Sequence, residues 1–467
     1  MQKMNLYAYR LAGWFRRTFF MALPENEQDY ENSRAAFILS EAAGQTIAQF
    51  NSGTFLTAVL TYLGLTDGAI GMVMAIATLA TVSDLFTMNY VQHLCKRKLF
   101  VCVMVLQKIW FAVMYFIPLL HWSQGIKIFL FILCLSIGQI STQVSTPAIN
   151  DWIGDLVPVR SRGAYFAKKD AISIFAVICS MLGMAFVFDH FRENSHFRSY
   201  PVIGTATLIL AVLNFAGLAA MKEARQYPLD ADGKEMHGSL RRRAAGIREG
   251  RMSLRDTIAE VSDTFRNDGF RRALAVTCLW NIAFYIAAPF NNSYQLKELG
   301  LSFTYIMVVG FIFNMVRVFL TPVIGRKADK IGMADMEERV LGFYAGYYFF
   351  TMLAVPGNGQ ILYILSVACS SVAWCFINIG ILCIQFEFLD EKCRMFQFSL
   401  LIAVSGLTGF VTSVLAGLLL NFLQKHPVVI SGKSLYAQQT TNFLGLLMVL
   451  LTILYLDRRV KNQNEKS

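Results

Sequence analysis

The sequence predicts an all-α integral membrane protein of twelve transmembrane helices, arranged as two pseudo-symmetric six-helix bundles. Three observations carry this prediction. Residues of the set AVILMFWYC make up 55% of the 467 residues, against 16% charged, with a mean hydropathy of +0.47. A soluble surface needs more charge than that. Apolar runs of about 20 residues, the length that crosses a hydrocarbon core of about 30 Å, recur along the whole chain. The second half repeats landmarks of the first at a nearly fixed offset.

The runs place spans at 36–64, 68–92, 99–121, 126–152, 170–191 and 200–221, then at 271–296, 302–325, 339–356, 360–388, 395–422 and 440–457. Orientation follows from the basic residues. With the N-terminus inside, 34 of the 42 Lys and Arg fall in cytosolic segments and six in external loops: Lys127, Arg192, Arg198, Lys297, Lys425 and Lys433. The remaining two, Lys108 and Arg317, lie within spans. The positive-inside rule therefore puts both termini in the cytosol and the chain, multi-pass, in a cytoplasmic membrane. The net charge of +11 is the signature of that orientation rather than of a nucleic-acid groove.

Five segments result: 1–35, a cytosolic N-terminal segment; 36–222, the first bundle; 223–270, a basic linker; 271–457, the second bundle; and 458–467, a cytosolic tail. The first segment mixes Tyr7, Trp14, Phe15, Phe19 and Phe20 with Arg10, Arg16 and Arg17, which suits either an interfacial helix or a disordered tail. It does not have the form of a cleavable leader. In the linker, Leu254, Ile258, Val261 and Phe265 share one face of a short amphipathic helix, with Ser253 and Asp256 placed to cap it.

The repeat is clearest at the ends of spans four and ten. Asp155-Leu156 precedes Arg162 by seven residues, counting from the acid, and Glu387-Phe388 precedes Arg394 by the same interval. The offset between the two sets is 232. Six spans, a linker and six spans is the layout of a duplicated transporter with its site near the midplane.

The loop after span eight reads Gly325-Arg326-Lys327-Ala328-Asp329-Lys330-Ile331-Gly332. It is similar to the G-x-x-x-D-[RK]-x-G motif of the major facilitator superfamily, carried here by Gly325, Asp329, Lys330 and Gly332. The matching loop, Tyr90 to Lys98, keeps the basic residues and lacks the Gly and Asp. Thr146-Pro147-Ala148, Asp155-Leu156-Val157-Pro158 and Arg160-Ser161-Arg162-Gly163 resemble the glycoside-pentoside-hexuronide symporters of that superfamily. Span five has one glycine, Gly183, and no proline, unlike drug–proton antiporters. Span four lacks the early Arg of many proton-coupled members, holding only Lys127 at its edge.

The resemblance implies that the first and fourth spans of each half line a cavity. Polar stripes lie on those same spans. Glu41, Gln45 and Gln49 mark span one, and Gln139, Gln143, Thr146 and Asn150 mark span four. Asn281, Tyr285 and Asn292 mark span seven, and Trp374, Asn378 and Gln385 mark span ten. Spacings of 4, 7 and 11 keep such residues on one helical face. Polar side chains facing lipid are costly, so a shared wet cavity explains the stripes. Hydrogen bonding between helices is the alternative. Amides beside Trp280, Tyr285 and Trp374 suit a neutral polyhydroxylated or heterocyclic solute such as a sugar or nucleoside. Pro289 is placed to bend span seven.

Four ionisable residues fall well inside spans: Glu41, Asp84, Lys108 and Arg317. A charge there costs about 3 kcal/mol or more, so each needs a partner or a task. Asp84 or Glu41 is expected to bind a driving proton or sodium ion, with Arg317 as counter-charge or anchor; a static Asp84–Lys108 pair is the alternative. Asp155 with Arg162, Glu387 with Arg394, and Asp329 with Lys330 are expected as cytosolic gate pairs. The nine cysteines form no CxxC pair and no Cys/His cluster, and nucleotide and protease motifs are missing. The expectation is therefore a monomeric secondary transporter of a small-molecule substrate, cation-coupled, with no cofactor, no metal and no enzymatic activity. An exporter and a flux-free solute sensor are the other readings.

Overall fold

A computed structural model of the chain describes residues 26–83, 97–158, 162–191, 197–223, 261–389, 394–427, 429–430 and 433–461. Helices occupy all twelve expected stretches. In the first half they are α1 (Glu27–Phe50), α2 (Gly53–Tyr62), α3 (Asp67–Met74), α4 (Ile76–Ala80), α5 (Arg97–Leu106), α6 (Ile109–Phe116), α7 (Gln124–Leu156), α8 (Arg162–His190) and α9 (Ser199–Ala220). The second half follows with α10 (Asp268–Tyr285), α11 (Ala288–Ser293), α12 (Phe303–Ile331), α13 (Met333–Leu353), α14 (Gly359–Trp374), α15 (Ile377–Phe388), α16 (Arg394–Lys425) and α17 (Ala437–Tyr455). Two residues of strand, Val429–Ile430, pair antiparallel with Lys433–Ser434 between α16 and α17. Among the described residues, eight helical stretches are long and apolar enough to cross a membrane by themselves. The chain is a multi-pass membrane protein.

Contacts divide the chain into two compact units. Unit 1 comprises residues 1–51, 86–184 and 197–252; unit 2 comprises 52–85, 185–196 and 253–467. In unit 1 a core of Phe37, Val101, Val105, Trp152, Ile153 and Leu218 joins the ends of spans one, three, four and six. Small residues let these helices close up: a Cβ on Gly217 would lie 2.8 Å from Ser40, and Asn214 donates to the Ser40 carbonyl at 2.7 Å. In unit 2 one core gathers α10, α13, α15 and α17 around Val276, Val340, Tyr344, Tyr348, Ile377 and Val449.

Several spans are broken rather than continuous. Span one breaks at Asn51–Ser52, where Gly53 takes a left-handed φ of +56° that favours glycine. Span seven breaks at Ile286–Ala287, just ahead of Pro289. Proline has no N–H to give to the Tyr285 carbonyl, and Ala287, capping the restarted helix, adopts φ −131°. Its amide bonds the Phe284 carbonyl and leaves that of Ala283 vacant.

No water reaches a vacant carbonyl in the hydrocarbon core, so a side chain must take its place. At both breaks that side chain is a tyrosine. Tyr115, in α6, donates to the Phe50 carbonyl at 2.5 Å, and Tyr348, in α13, donates to the Ala283 carbonyl at 2.7 Å. Donor and acceptor are both displaced by 233 residues between the two ties. The third span of each half thus supports the break in the first. Tyr115→Phe and Tyr348→Phe each remove a buried hydrogen bond to a backbone carbonyl, at a cost of about 1–3 kcal/mol. Each single variant is expected to melt at a lower temperature in detergent, and an unchanged melting temperature would show that the tie is not needed.

Candidate functional site

Unit 2 carries an aromatic wall at the break in span ten. That span stops at Trp374, tightens through Cys375 and Phe376, and restarts at Ile377. Trp374 projects from the break and meets three rings nearly edge to face: Trp280 at 5.8 Å, Phe284 at 5.8 Å and Tyr344 at 6.1 Å between centroids. Trp280 in turn packs on Tyr344 at 5.0 Å. Such perpendicular contacts hold each ring in a fixed orientation.

The expected polar residues of unit 2 fall into two groups. Asn281 donates to the Ser405 carbonyl at 2.8 Å, Asn292 accepts from the Thr54 hydroxyl at 3.3 Å, and buried Gln385 donates to Thr277 at 2.9 Å. These amides bond one helix to another. Asn378 is exposed, one turn beyond Trp374, and Tyr285 is half-buried with its ring against Gly409, where a Cβ would lie 2.6 Å away. A second amide cluster was not expected. Asn291 and Asn442 exchange hydrogen bonds at 3.1 and 2.8 Å, and Asn291 also donates to the Tyr347 hydroxyl at 2.7 Å. The signal for it was a lone Asn within span twelve and the Tyr344, Tyr347, Tyr348 run within span nine.

In unit 1, Gln45 donates to Glu41 at 3.0 Å, and Lys169 reaches the same carboxylate at 3.6 Å. Lys108 is buried with its ammonium against Gly44, 3.5 Å from where a Cβ would stand, and close enough to feel the charge of Glu41. Glu41, Lys108 and Lys169 therefore form one charge cluster on spans one, three and five. Gln139 and Gln143 are half-buried on α7, and Gln49 is exposed on α1. Arg317 is half-buried on α12, in unit 2, where its carbonyl receives the Cys375 thiol at 3.7 Å.

Asp84 lies outside the described residues. Of the expected gate pairs, Glu387 and Lys330 are exposed and Gly325 is half-buried, while the side chains of Asp155, Arg162, Asp329 and Arg394 lie outside the described set. So do residues 1–25 and most of the 253–265 segment.

The most densely bonded carboxylate is one that the sequence reading passed over. Asp67 opens α3, at the turn between spans one and two, and is 5% exposed. It accepts hydrogen bonds from Lys297 at 2.5 Å, Gln424 at 2.7 Å, Gln438 at 3.2 Å and the Ser293 hydroxyl. Its partners come from the ends of spans seven and eleven and the start of span twelve, all within unit 2. Glycines bring the backbones together beside it. A Cβ on Gly68 would lie 2.2 Å from the Gly417 carbonyl, and one on Gly71 2.0 Å from the Phe290 ring. Asp189, at the end of span five, caps the start of α12 by accepting from the amides of Phe303 at 3.0 Å and Thr304 at 2.7 Å.

The sequence model of the Major Facilitator Superfamily matches residues 42–412. The chain belongs to the Major Facilitator Superfamily. Its fold is shared with solved transporters at low identity. A mutant of the nucleoside transporter NupG is 12% identical, with a TM-score of 0.67 over 92% of this chain and 100% of that one. A D-xylose-proton symporter is 13% identical, with a TM-score of 0.62 over 92% and 96%. A bacterial homologue of the iron transporter ferroportin is 12% identical, with a TM-score of 0.62 over 93% and 99%. No curated protein matches the chain by sequence. This superfamily member is a membrane transporter by family and fold.

Removing the Asp67 charge tests this set of bonds. Asp67→Asn keeps the volume but weakens charge-assisted bonds worth about 1.5–3 kcal/mol each. Amide hydrogen exchange in 67–74 and 288–298 is expected to rise by about tenfold or more, since local opening governs it. Unchanged exchange would reduce Asp67 to a packing residue.

Proposed function

We propose that the chain is a cation-coupled secondary transporter of a small, neutral, polar organic solute, sugar- or nucleoside-like, working by alternating access as a monomer in the cytoplasmic membrane with both termini cytosolic. The observation that carries the solute class is the aromatic wall of Trp280, Phe284, Tyr344 and Trp374 with exposed Asn378 one turn away. Ring faces pack on the apolar face of a sugar or base, and a carboxamide offers donor and acceptor to its hydroxyls or ring nitrogens. Among proteins of this fold, a nucleoside transporter and a D-xylose-proton symporter handle solutes of this kind.

Coupling is assigned to Glu41. Its carboxylate is balanced by Lys108 and Lys169, so gain of a proton or a sodium ion there changes the charge of a buried cluster. A buried charge left without its partner is costly, and this lets ion binding bias the transporter between states. With both termini cytosolic, the Asp67 and Asp189 contacts fall on the external side.

Ligand-dependent melting in detergent tests the solute class, because a ligand that binds only the folded state raises apparent stability with its occupancy. Across sugars, nucleosides, amino acids, organic acids and lipophilic cations, a shift is expected with one sugar or nucleoside and is expected to vanish in Trp374→Ala and Asn378→Ala. Shifts with lipophilic cations alone would point to an exporter. In proteoliposomes Glu41→Gln is expected to keep solute exchange while losing ion-driven accumulation; accumulation at the wild-type level would remove Glu41 from the coupling step.

A further inference from the structure

Glu337 stands out among the acidic residues of unit 2. It lies one turn into α13, just after the left-handed turn at Gly332 (φ +100°) that joins α12 to α13. Its side chain is fully buried, and neither carboxyl oxygen accepts a hydrogen bond. Its neighbours along the helix, Met336, Val340 and Leu341, belong to the apolar core of this unit. The carboxyl rests on the bare Cα of Gly380 in α15, where a Cβ would lie 2.0 Å from Oε2. The second segment of the broken span ten is thus seated directly on the acid.

An ionised carboxylate without a single donor in an apolar core is strongly disfavoured, whereas the neutral acid can be held there. Among the described residues, no charged group is bonded to it. On its own helix, Asp335 and Glu338 are half-buried and Arg339 is exposed. On α12, Arg326, Lys327 and Lys330 are exposed, and Arg317 is half-buried near Cys375. Glu387 of α15 is exposed, as are Asp457, Arg458 and Arg459 in the last turn beyond α17. On α14 and α17 the titratable groups are Tyr363, Cys369 and Tyr455. Static packing would be served better by Leu or Met than by an acid.

We propose that Glu337 is a proton-binding site of the transport cycle, protonated while α15 is seated on α13 and deprotonated when Gly380 moves off it and water enters. The O–H bond breaks heterolytically, the carboxylate keeps the electron pair, and water at the nearby helix ends takes the proton. The idea rests on the transporter reading, because α15 carries Asn378 at its first turn: a solute that shifts this segment changes the proton affinity of Glu337, and the proton changes the seating of the segment. The site is separate from the Glu41 cluster, which belongs to unit 1.

Infrared spectroscopy of the purified protein, titrated from acid to alkaline solution without any solute, reads the proton directly. A neutral-acid carbonyl band that persists at neutral pH, where exposed carboxyls are ionised, is expected in the wild type, is expected to disappear on further alkalinisation, and is expected to be missing at neutral pH in Glu337→Gln. Amide hydrogen exchange in 377–388 is expected to increase about tenfold or more over the same titration in the wild type and to stay flat in Glu337→Gln. A band that survives at every pH, no such band at any pH, or exchange that rises equally in Glu337→Gln would each overturn the proposal. If Glu337→Gln does not fold, Glu337→Asp serves instead: it draws the carboxyl back from Gly380, and its band must disappear at a lower pH. Failure of every solute in the melting experiment would remove the solute class and leave these two readings intact.

Discussion

A backbone carbonyl released inside a membrane has to be given a donor by the protein, and this requirement shapes the chain more than any other. Breaks in spans one and seven free the carbonyls of Phe50 and Ala283, and the hydroxyls of Tyr115 and Tyr348 fill them. Each tie crosses from the third span of its half to the first. Those tyrosines satisfy the carbonyls that the breaks leave open. Downstream of the second break lie α11 and the Ser293 and Lys297 partners of Asp67; upstream of it, in α10, lie Trp280 and Phe284 of the aromatic wall.

Polar groups in unit 2 therefore do two kinds of work. Asn281, Asn292 and Gln385 join helices, as amides in membranes commonly do. Asp67 gathers donors from three segments far apart in sequence into one buried knot. Its bonds are strong singly and interdependent together, because losing one donor leaves the rest around an imperfectly satisfied charge. The glycines beside it bring the backbones close enough for short side chains to meet.

The general architecture was legible because length, apolar composition and basic-residue placement are physical consequences of a bilayer. The duplication was legible at the Asp155/Arg162 and Glu387/Arg394 repeats. Less was legible at the site. Trp280 and Trp374 were recognised, but Tyr344 was not, since an aromatic in an apolar span gives no periodic signal of its own. Asp67 was taken for loop because it sits at a span boundary, where a carboxylate is ordinarily solvated; only tertiary packing buries it. Glu337 escaped for the same reason, two residues before the expected start of span nine. The break at Ile286–Ala287 could be foreseen from Pro289, whereas the one at Cys375–Phe376 has no proline or glycine to announce it.

The 233-residue correspondence of the tyrosine ties also makes the two halves comparable position by position. At that offset Glu41 corresponds to Leu274, Lys108 to Leu341, and Glu337 to Met104. The hinge chemistry is common to both halves, whereas among the intramembrane ionisable residues one position alone is shared, Asp84 with Arg317, and there the charge is reversed. Symmetry in this protein is a property of how the backbone bends rather than of the charges it carries.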